Sequence, residues 1–244
     1  MVIIVGCLIE FHNACKRYGD NAVLEGLNLQ IEPGEFVVFI GRSGAGKTTA
    51  LEMINAMVAP DEGYVSVRGE DVTKADPIAL RRSIGYCVQS TSLFPHMTIA
   101  DNIAYVPALM GEKKEARRTR AQELLELVCL PGDCIKRYPR QLSGGEAQRV
   151  GVARALAADP EIVLMDEPFG ATDNITRGML QDELKAIHEK LHKTIVFVTH
   201  DLNEARKLAD RIVLFNDGIV EQTGTFNELT VAPASDFVRA FIAG

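Results

Sequence analysis

No stretch of this 244-residue chain approaches the roughly 18–20 consecutive apolar residues that span a bilayer, which excludes an ordinary membrane-spanning helix. Positive charge is not in excess either. Lys and Arg total 26 against 33 Asp and Glu, a net charge of −7, so nothing favours wholesale binding to nucleic acid. Any phosphate site must therefore be built locally. The five cysteines, Cys7, Cys15, Cys87, Cys129 and Cys134, are odd in number and contain no Cys-x-x-Cys pair. They read as reduced, mostly buried thiols of a cytosolic protein. Low-complexity linkers, internal repeats and heptad runs are absent. What is there, 47% hydrophobic and 24% charged residues, is the balance of an ordinary globular domain. That excludes a disordered tail, a collagen-like fibre and a small disulfide scaffold.

The opening Met1-Val-Ile-Ile-Val-Gly-Cys7 has the cleavage-site spacing of a lipoprotein signal. It lacks the basic segment and full apolar stretch of one, so it reads as an edge strand or a short extension. Turn signals follow at Tyr18-Gly-Asp-Asn21 and Glu32-Pro-Gly-Glu35. Phe36-Val-Val-Phe-Ile40 is a continuous apolar run, the pattern of a strand buried on both faces. A glycine-rich segment and a helical pattern through Met57 come next. Residues 61–70 read as a short strand pair turning at Asp61-Glu-Gly63. The middle, from about Ser92 to Ala158, is helical in character. Two more buried strands, Ile162-Val-Leu-Met165 and Thr194-Ile-Val-Phe-Val198, flank a helix with Leu180, Leu184, Ile187 and Leu191 on one face. A further helix and the strand Ile212-Val-Leu-Phe215 complete the pattern. Strands alternating with helices predict a mainly parallel α/β sheet with ligands at the carboxyl ends of its strands.

Gly41, Arg42, Ser43, Gly44, Ala45, Gly46, Lys47 and Thr48 form the complete phosphate-binding P-loop pattern between a strand and a helix. Its glycines let successive N–H groups turn inward on phosphate oxygens, and the helix start adds its positive dipole end. Lys47 can reach the β- and γ-phosphates and the Thr48 hydroxyl can ligate Mg²⁺. At the end of the second buried strand, Asp166 suits Mg²⁺, while Glu167 can orient or deprotonate an attacking water. Leu142-Ser-Gly-Gly-Glu146 reads two ways. Ser143 and Glu146 make a capping box, and the glycine pair Gly144–Gly145 leaves room for a close-packed anion. His188-Glu-Lys-Leu-His192 formally matches the zinc-protease pattern HExxH. It offers no third ligand, and Leu191 belongs to the apolar stripe, so the two histidines read as a solvated surface pair. His200 can hydrogen-bond a γ-phosphate, Gln89 can contact Mg²⁺ or water, and Tyr18 can stack on a base.

Tyr18, the segment 41–48, Gln89, Leu142-Ser-Gly-Gly-Glu146, Asp166-Glu167, Asp173 and His200 stand in the order and spacing of an ABC-transporter ATP-binding subunit. The resemblance covers nearly the whole chain from about Ile9. It implies a P-loop, RecA-like core with an N-terminal antiparallel β part, the core being about residues 1–90 and 159–244. A helical signature subdomain is implied at about 91–158. It also implies that Tyr18 stacks on adenine and that Gly41 through Thr49, with Asp173, bind the nucleotide. Lys47 and Thr48 serve the phosphates and Mg²⁺, and Gln89 senses nucleotide. Glu167 is the general base and His200 holds the γ-phosphate. Ser143, Gly144 and Gly145 close over ATP held by a second copy or a second cassette. Two positions depart from the family pattern: Glu146 replaces the usual Gln, and Thr172 the usual Leu. Neither removes a phosphate ligand.

Ala79–Gln89, Leu93–Ile103 and Thr194–Leu202 look most like the glycine betaine/carnitine/choline importers. The resemblance thus implies ATP-driven uptake of an osmoprotectant, with permease subunits in the membrane, a substrate-binding protein and a place on the inner face of the cell membrane. Import of another small solute (an amino acid or sulfonate) and a soluble non-transport ABC ATPase are the alternatives. The latter usually carries two cassettes or a coiled-coil insertion. Because the chain ends at Gly244, a C-terminal regulatory domain, and ionic-strength sensing through one, is not expected.

Overall fold

The computed structural model describes residues 7–89, 92–170 and 174–243, with the backbone alone at 174–176. In chain order the elements begin with β1 (Ile9–Tyr18), β2 (Asn21–Ile31), β3 (Phe36–Gly41), α1 (Lys47–Ile54), β4 (Glu62–Val67), β5 (Glu70–Asp71) and α2 (Pro77–Ser83). There follow β6 (Ile84–Cys87), α3 (Ile99–Ile103), α4 (Tyr105–Leu109), α5 (Lys114–Leu127), α6 (Gly144–Leu156), β7 (Ile162–Asp166) and α7 (Asn174–Leu191). The last are β8 (Thr194–Thr199), α8 (Leu202–Leu208), β9 (Arg211–Asn216), β10 (Ile219–Gly224), α9 (Phe226–Val231) and α10 (Asp236–Ala243). Two compact units result, residues 1–81 with 193–244, and residues 82–192.

In the first unit, β3 lies between β8 and β9 with both pairings parallel, and β10 pairs antiparallel to β9. All six residues of β3 are buried, as its unbroken apolar run requires. Phe39 meets Phe215 at 5.2 Å and Phe36 meets Phe197 at 6.0 Å between ring centroids. Each such buried side chain contributes on the order of 1.5–3 kcal/mol. The start of β3 is pinned by polar groups: Phe36 N donates to Asp210 Oδ2 at 2.8 Å, and Gly34 N donates to Thr194 Oγ1 at 2.8 Å. An antiparallel sheet of order β2-β1-β4-β5 completes the strands of this unit.

Two local expectations change here. The turn at 61–63 does not form: Glu62 and Gly63 already belong to β4, and the chain turns at Arg68-Gly69. Asp61 is instead held by Lys16 Nζ at 2.9 Å and Arg17 N at 2.7 Å, so the segment is drawn onto β1. Gly63 sits at an irregularity of the β1–β4 pairing, where a Cβ would lie 2.2 Å from His12 O. The first helix also ends at Ile54 rather than Met57. Asn55 caps it and Ala56 turns left-handed at φ 55, with Met57 N donating to Asn55 Oδ1 at 3.1 Å.

In the second unit, β6 and β7 pair in parallel and α6 packs against β6. Gly85 makes that approach possible, since a Cβ there would lie 2.2 Å from Ala155 O and Gly151 stands beside the Cys87 sulfur. The apolar stripe of α7 is buried at Leu180, Leu184 and Ile187, while Leu191 at the helix end is only half-buried. Of the five cysteines, all free, only Cys87 and Cys134 are buried, against the expectation for most of them. Cys7 and Cys15 are half-buried and Cys129 is exposed. Burial pushes the Cys87 thiol up to about 11.

Replacing Gly85 by Ala forces α6 away from β6, an overpacking cost of about 1–3 kcal/mol. Thermal unfolding of Gly85→Ala is expected several degrees below the parent, with the same change at the exposed Gly132, where no atom lies within 4 Å of a Cβ, as the neutral control.

Candidate functional site

The phosphate loop leaves β3 through a turn that only glycine can make. Gly41 has φ 153, and a Cβ on it would lie 2.3 Å from Phe215 O of β9. Gly46, at φ 92, directly precedes α1, and its Cβ would meet Val23 O at 2.5 Å and Leu24 Cδ2 at 2.7 Å. The loop is thus clasped between β9 on one side and β2 on the other. Lys47 opens the helix and is 5% exposed; its Nζ donates to Gly41 O at 2.9 Å and Arg42 O at 2.7 Å. A buried ammonium costs several kcal/mol unless it is paired or hydrogen-bonded, so these carbonyls hold it across the mouth of the loop. Ser43, Gly44 and Thr48 remain exposed, so this part of the loop lies at the surface.

His200 follows β8 directly and is exposed. Because Ile40 is in register with Thr199 across the parallel pair, the P-loop and His200 leave neighbouring strand ends together. Thr199 Oγ1 donates to buried Glu204 at 2.6 Å and accepts from Asp201 N at 2.9 Å. Asp201 in turn caps α8, accepting from Asn203 N at 2.8 Å, so the backbone on both sides of the histidine is held. Arg42 and His200 share a recess with Phe237 and Phe241 of α10, the Arg42 guanidinium lying 5.5 Å from the Phe237 ring centre. Sequence reasoning did not find this aromatic neighbour of the loop. Tyr18, at the tip between β1 and β2, is 53% exposed, with Lys16 Nζ 5.5 Å from its ring centre.

In the second unit, the register Cys87↔Met165 carries Gln89 and Glu167, each two residues further on, to the same end of the parallel pair. Gln89 Nε2 donates to Glu167 Oε2 at 3.2 Å. Asp166, the last residue of β7, is 7% exposed, whereas Glu167 is half-exposed, so the adjacent carboxylates face different surroundings. Glu167 also stands at φ 42, a left-handed conformation that costs a non-glycine residue about 1–3 kcal/mol. Ser143 caps α6 as the sequence suggested: Ser143 Oγ accepts from Glu146 N at 3.3 Å, and Ser143 N donates to Glu146 Oε2 at 2.7 Å. That backbone donor, with the serine hydroxyl, holds the Glu146 carboxyl below its usual range. Gly144 is exposed beside it in the first helical turn. Asp173 and Thr172 lie outside the described residues. His192 falls beyond the end of α7 at φ 49, so the HExxH pair does not share one helix; among the described residues no three His, Cys, Asp or Glu come together as metal ligands.

A strand-loop-helix phosphate cradle on a parallel sheet, and a serine-capped glycine-pair helix, define a P-loop nucleotide-binding cassette. The ABC transporter family matches residues 24–170, and the chain belongs to that family. The choline transport ATP-binding protein OpuBA of Bacillus subtilis is 50% identical over 236 residues, 96% of this chain and 62% of that protein. The glycine betaine uptake system ATP-binding protein YehX of Escherichia coli is 48% identical over 96% of this chain and 76% of its own. A solved dimeric ATP-binding cassette, MJ0796 in a post-hydrolysis state bound to ADP and Pi, superposes with TM-score 0.81 at 36% identity, covering 89% of this chain and 98% of that one. The fold is accordingly that of ABC ATPase cassettes. The chain spans about 60% of the length of the Bacillus and Listeria osmolyte-transport relatives it matches.

The Glu146 carboxylate sets a pH test of the capping box. Its pKa is depressed in the fold, so its stabilisation is present above the unfolded value of about 4.3 and is lost as pH falls through the folded one. Glu146→Gln is expected to melt below the parent at pH 7, the gap closing below about pH 4, while Ser143→Ala costs about 1 kcal/mol at neutral pH.

Proposed function

We propose that this chain is the ATP-hydrolysing subunit of an ABC importer that takes up a small quaternary amine. The observation that carries the reading is the buried Lys47 ammonium, held by the carbonyls of Gly41 and Arg42 at the mouth of an amide-lined loop. That arrangement suits a triphosphate, whose oxygens take the loop N–H groups from Gly41 to Thr49, the lysine and the dipole end of α1. The chain then has the groups for hydrolysis. Glu167, with Gln89 hydrogen-bonded to it, takes the proton of the water whose oxygen bonds to the γ-phosphorus as the bond to the ADP oxygen breaks. His200 holds the γ-phosphate, Tyr18 stacks on the base, and Asp173 completes the nucleotide contacts.

The oxygen donors Thr48, Gln89 and Asp166 are the type that hold Mg²⁺; the ion supplies charge neutralisation at the phosphate oxygens. Residues 91–158 act as the helical signature subdomain. A second copy or cassette presents Ser143, Gly144 and Gly145 to the nucleotide, and ATP closes the pair because it binds the closed form more tightly. Permease subunits in the membrane take up that motion, and a binding protein delivers the solute. The choline and glycine betaine uptake of the 48–50% identical relatives supports the quaternary amine, and the dimer of the solved cassette is a precedent for the pairing. Among the described residues no helix is long and apolar enough to cross a membrane, which suits a subunit held at the inner face by its permease.

Lys47→Ala is expected to abolish ATP binding measured by titration calorimetry; micromolar affinity in the variant refutes the P-loop role. Glu167→Gln is expected to bind ATP, lose hydrolysis by about a hundredfold or more, and accumulate as a dimer by light scattering. Co-purified with its permease, the protein's ATPase should rise with choline, carnitine or glycine betaine, whereas a response only to sulfonates or amino acids rejects the amine.

A further inference from the structure

A recess of about 260 Å³ opens in the second unit between α3, the start of α5 and the 3₁₀ turn Gly132–Lys136. Its floor is apolar, formed by Ala100, Ala104 and buried Ile135. Four cations line it: Lys114, Arg117 and Arg118 from α5, and Lys136 from the turn. None of the four makes an ion pair among the described residues, and Arg117 Nε is buried without a hydrogen-bond partner. Asp101 is the only carboxylate in the lining, and it is engaged elsewhere: Thr98 Oγ1 donates to its Oδ2 at 2.6 Å.

This arrangement runs against the local rules. Positions 114, 117 and 118 are spaced i, i+3, i+4, so like charges repel along one helix face. Lys114 and Arg117 also fall in the first turn of α5, beside Glu115, where the helix dipole disfavours cations and favours anions. The chain as a whole carries more acids than bases, 33 against 26, so the cluster is a local exception to its charge. Departures of this kind from local rules fall at functional sites, and a ligand of opposite sign would offset the repulsion. Arginine forks suit phosphate oxygens, and the alanine and isoleucine floor suits a compact apolar body. We infer that this recess binds a small organic phosphate, its dianion on the Lys114, Arg117, Arg118 and Lys136 wall and its apolar part on Ala100, Ala104 and Ile135. This site is separate from the phosphate loop and does not depend on the ATPase reading.

The test is titration calorimetry of phenyl phosphate into the full chain with the phosphate loop filled by excess Mg-ADP. One-to-one saturable binding is expected, weakened at least tenfold in Arg117→Gln/Arg118→Gln and falling with salt. Lys114→Gln/Lys136→Gln, which changes only exposed side chains, should weaken it comparably and guards against a folding defect in the first variant. Failure of Lys47→Ala to lose ATP would refute the ATP reading alone, and absence of phenyl phosphate binding by the parent would refute this inference alone. No saturable binding to the parent, binding as tight in the double variants as in the parent, or binding of an acidic peptide with phenyl phosphate silent overturns the inference.

Discussion

Lys47 is a charged group in a place where charge is expensive, and the organisation around it follows from making that tolerable. Its ammonium is satisfied by the carbonyls of Gly41 and Arg42, which requires the chain to double back within a few residues of leaving β3. The turn can be that tight only because no side chain occupies Gly41 or Gly46, one pressed against Phe215 and the other against Val23 and Leu24. Those neighbours are fixed in turn by the sheets. β9 is anchored by Phe215 on Phe39, and β2 is paired through its length to β1. The hydrophobic effect holds the walls, and the walls impose the curl. The burial of β3 is therefore the precondition for a polar loop that would not keep this shape alone.

The second unit reaches its chemistry by a different route. There the device is strand register. Parallel pairing of β6 with β7 lets a glutamine and a glutamate from distant parts of the sequence emerge at the same level and meet. The close seat of α6 on β6, permitted by Gly85 and Gly151, keeps that pairing in place. The left-handed backbone at Glu167 is strain that the fold supports at the carboxylate Gln89 reaches. Against these, the basic recess beside α5 is a feature without internal compensation.

Much of the local structure was legible because it depends on short-range rules. The apolar run at 36–40, the glycine spacing after it and the Ser143–Glu146 pair each specify their conformation within a few residues. The failures are equally physical. Asp61-Glu-Gly63 carries turn residues, yet Lys16 and the backbone of Arg17 capture Asp61 and convert the stretch into strand and bulge. The helix expected to reach Met57 stops at the buried Asn55: Ala56 turns left-handed, and Met57 N bonds Glu52 O and the Asn55 side chain instead of continuing the ladder. The HExxH spacing, already set aside in the sequence for want of a third ligand, does not lie on one helix, since α7 ends one residue before the second histidine. The stacking of Arg42 over Phe237 had no sequence signal at all, since nearly two hundred residues separate the two.

By itself the sequence determined which segments cross the core, where the phosphate loop lies, how α6 begins and the family to which these motifs belong. Those properties follow from side-chain polarity, glycine freedom and capping, all of which act over a few residues. Only the tertiary structure decided that Gln89 reaches Glu167, that His200 emerges beside the P-loop, that Phe237 covers Arg42 and that four cations gather on one recess. Each of these depends on strand register and helix docking, which bring together residues whose separation in sequence carries no information about their distance in space.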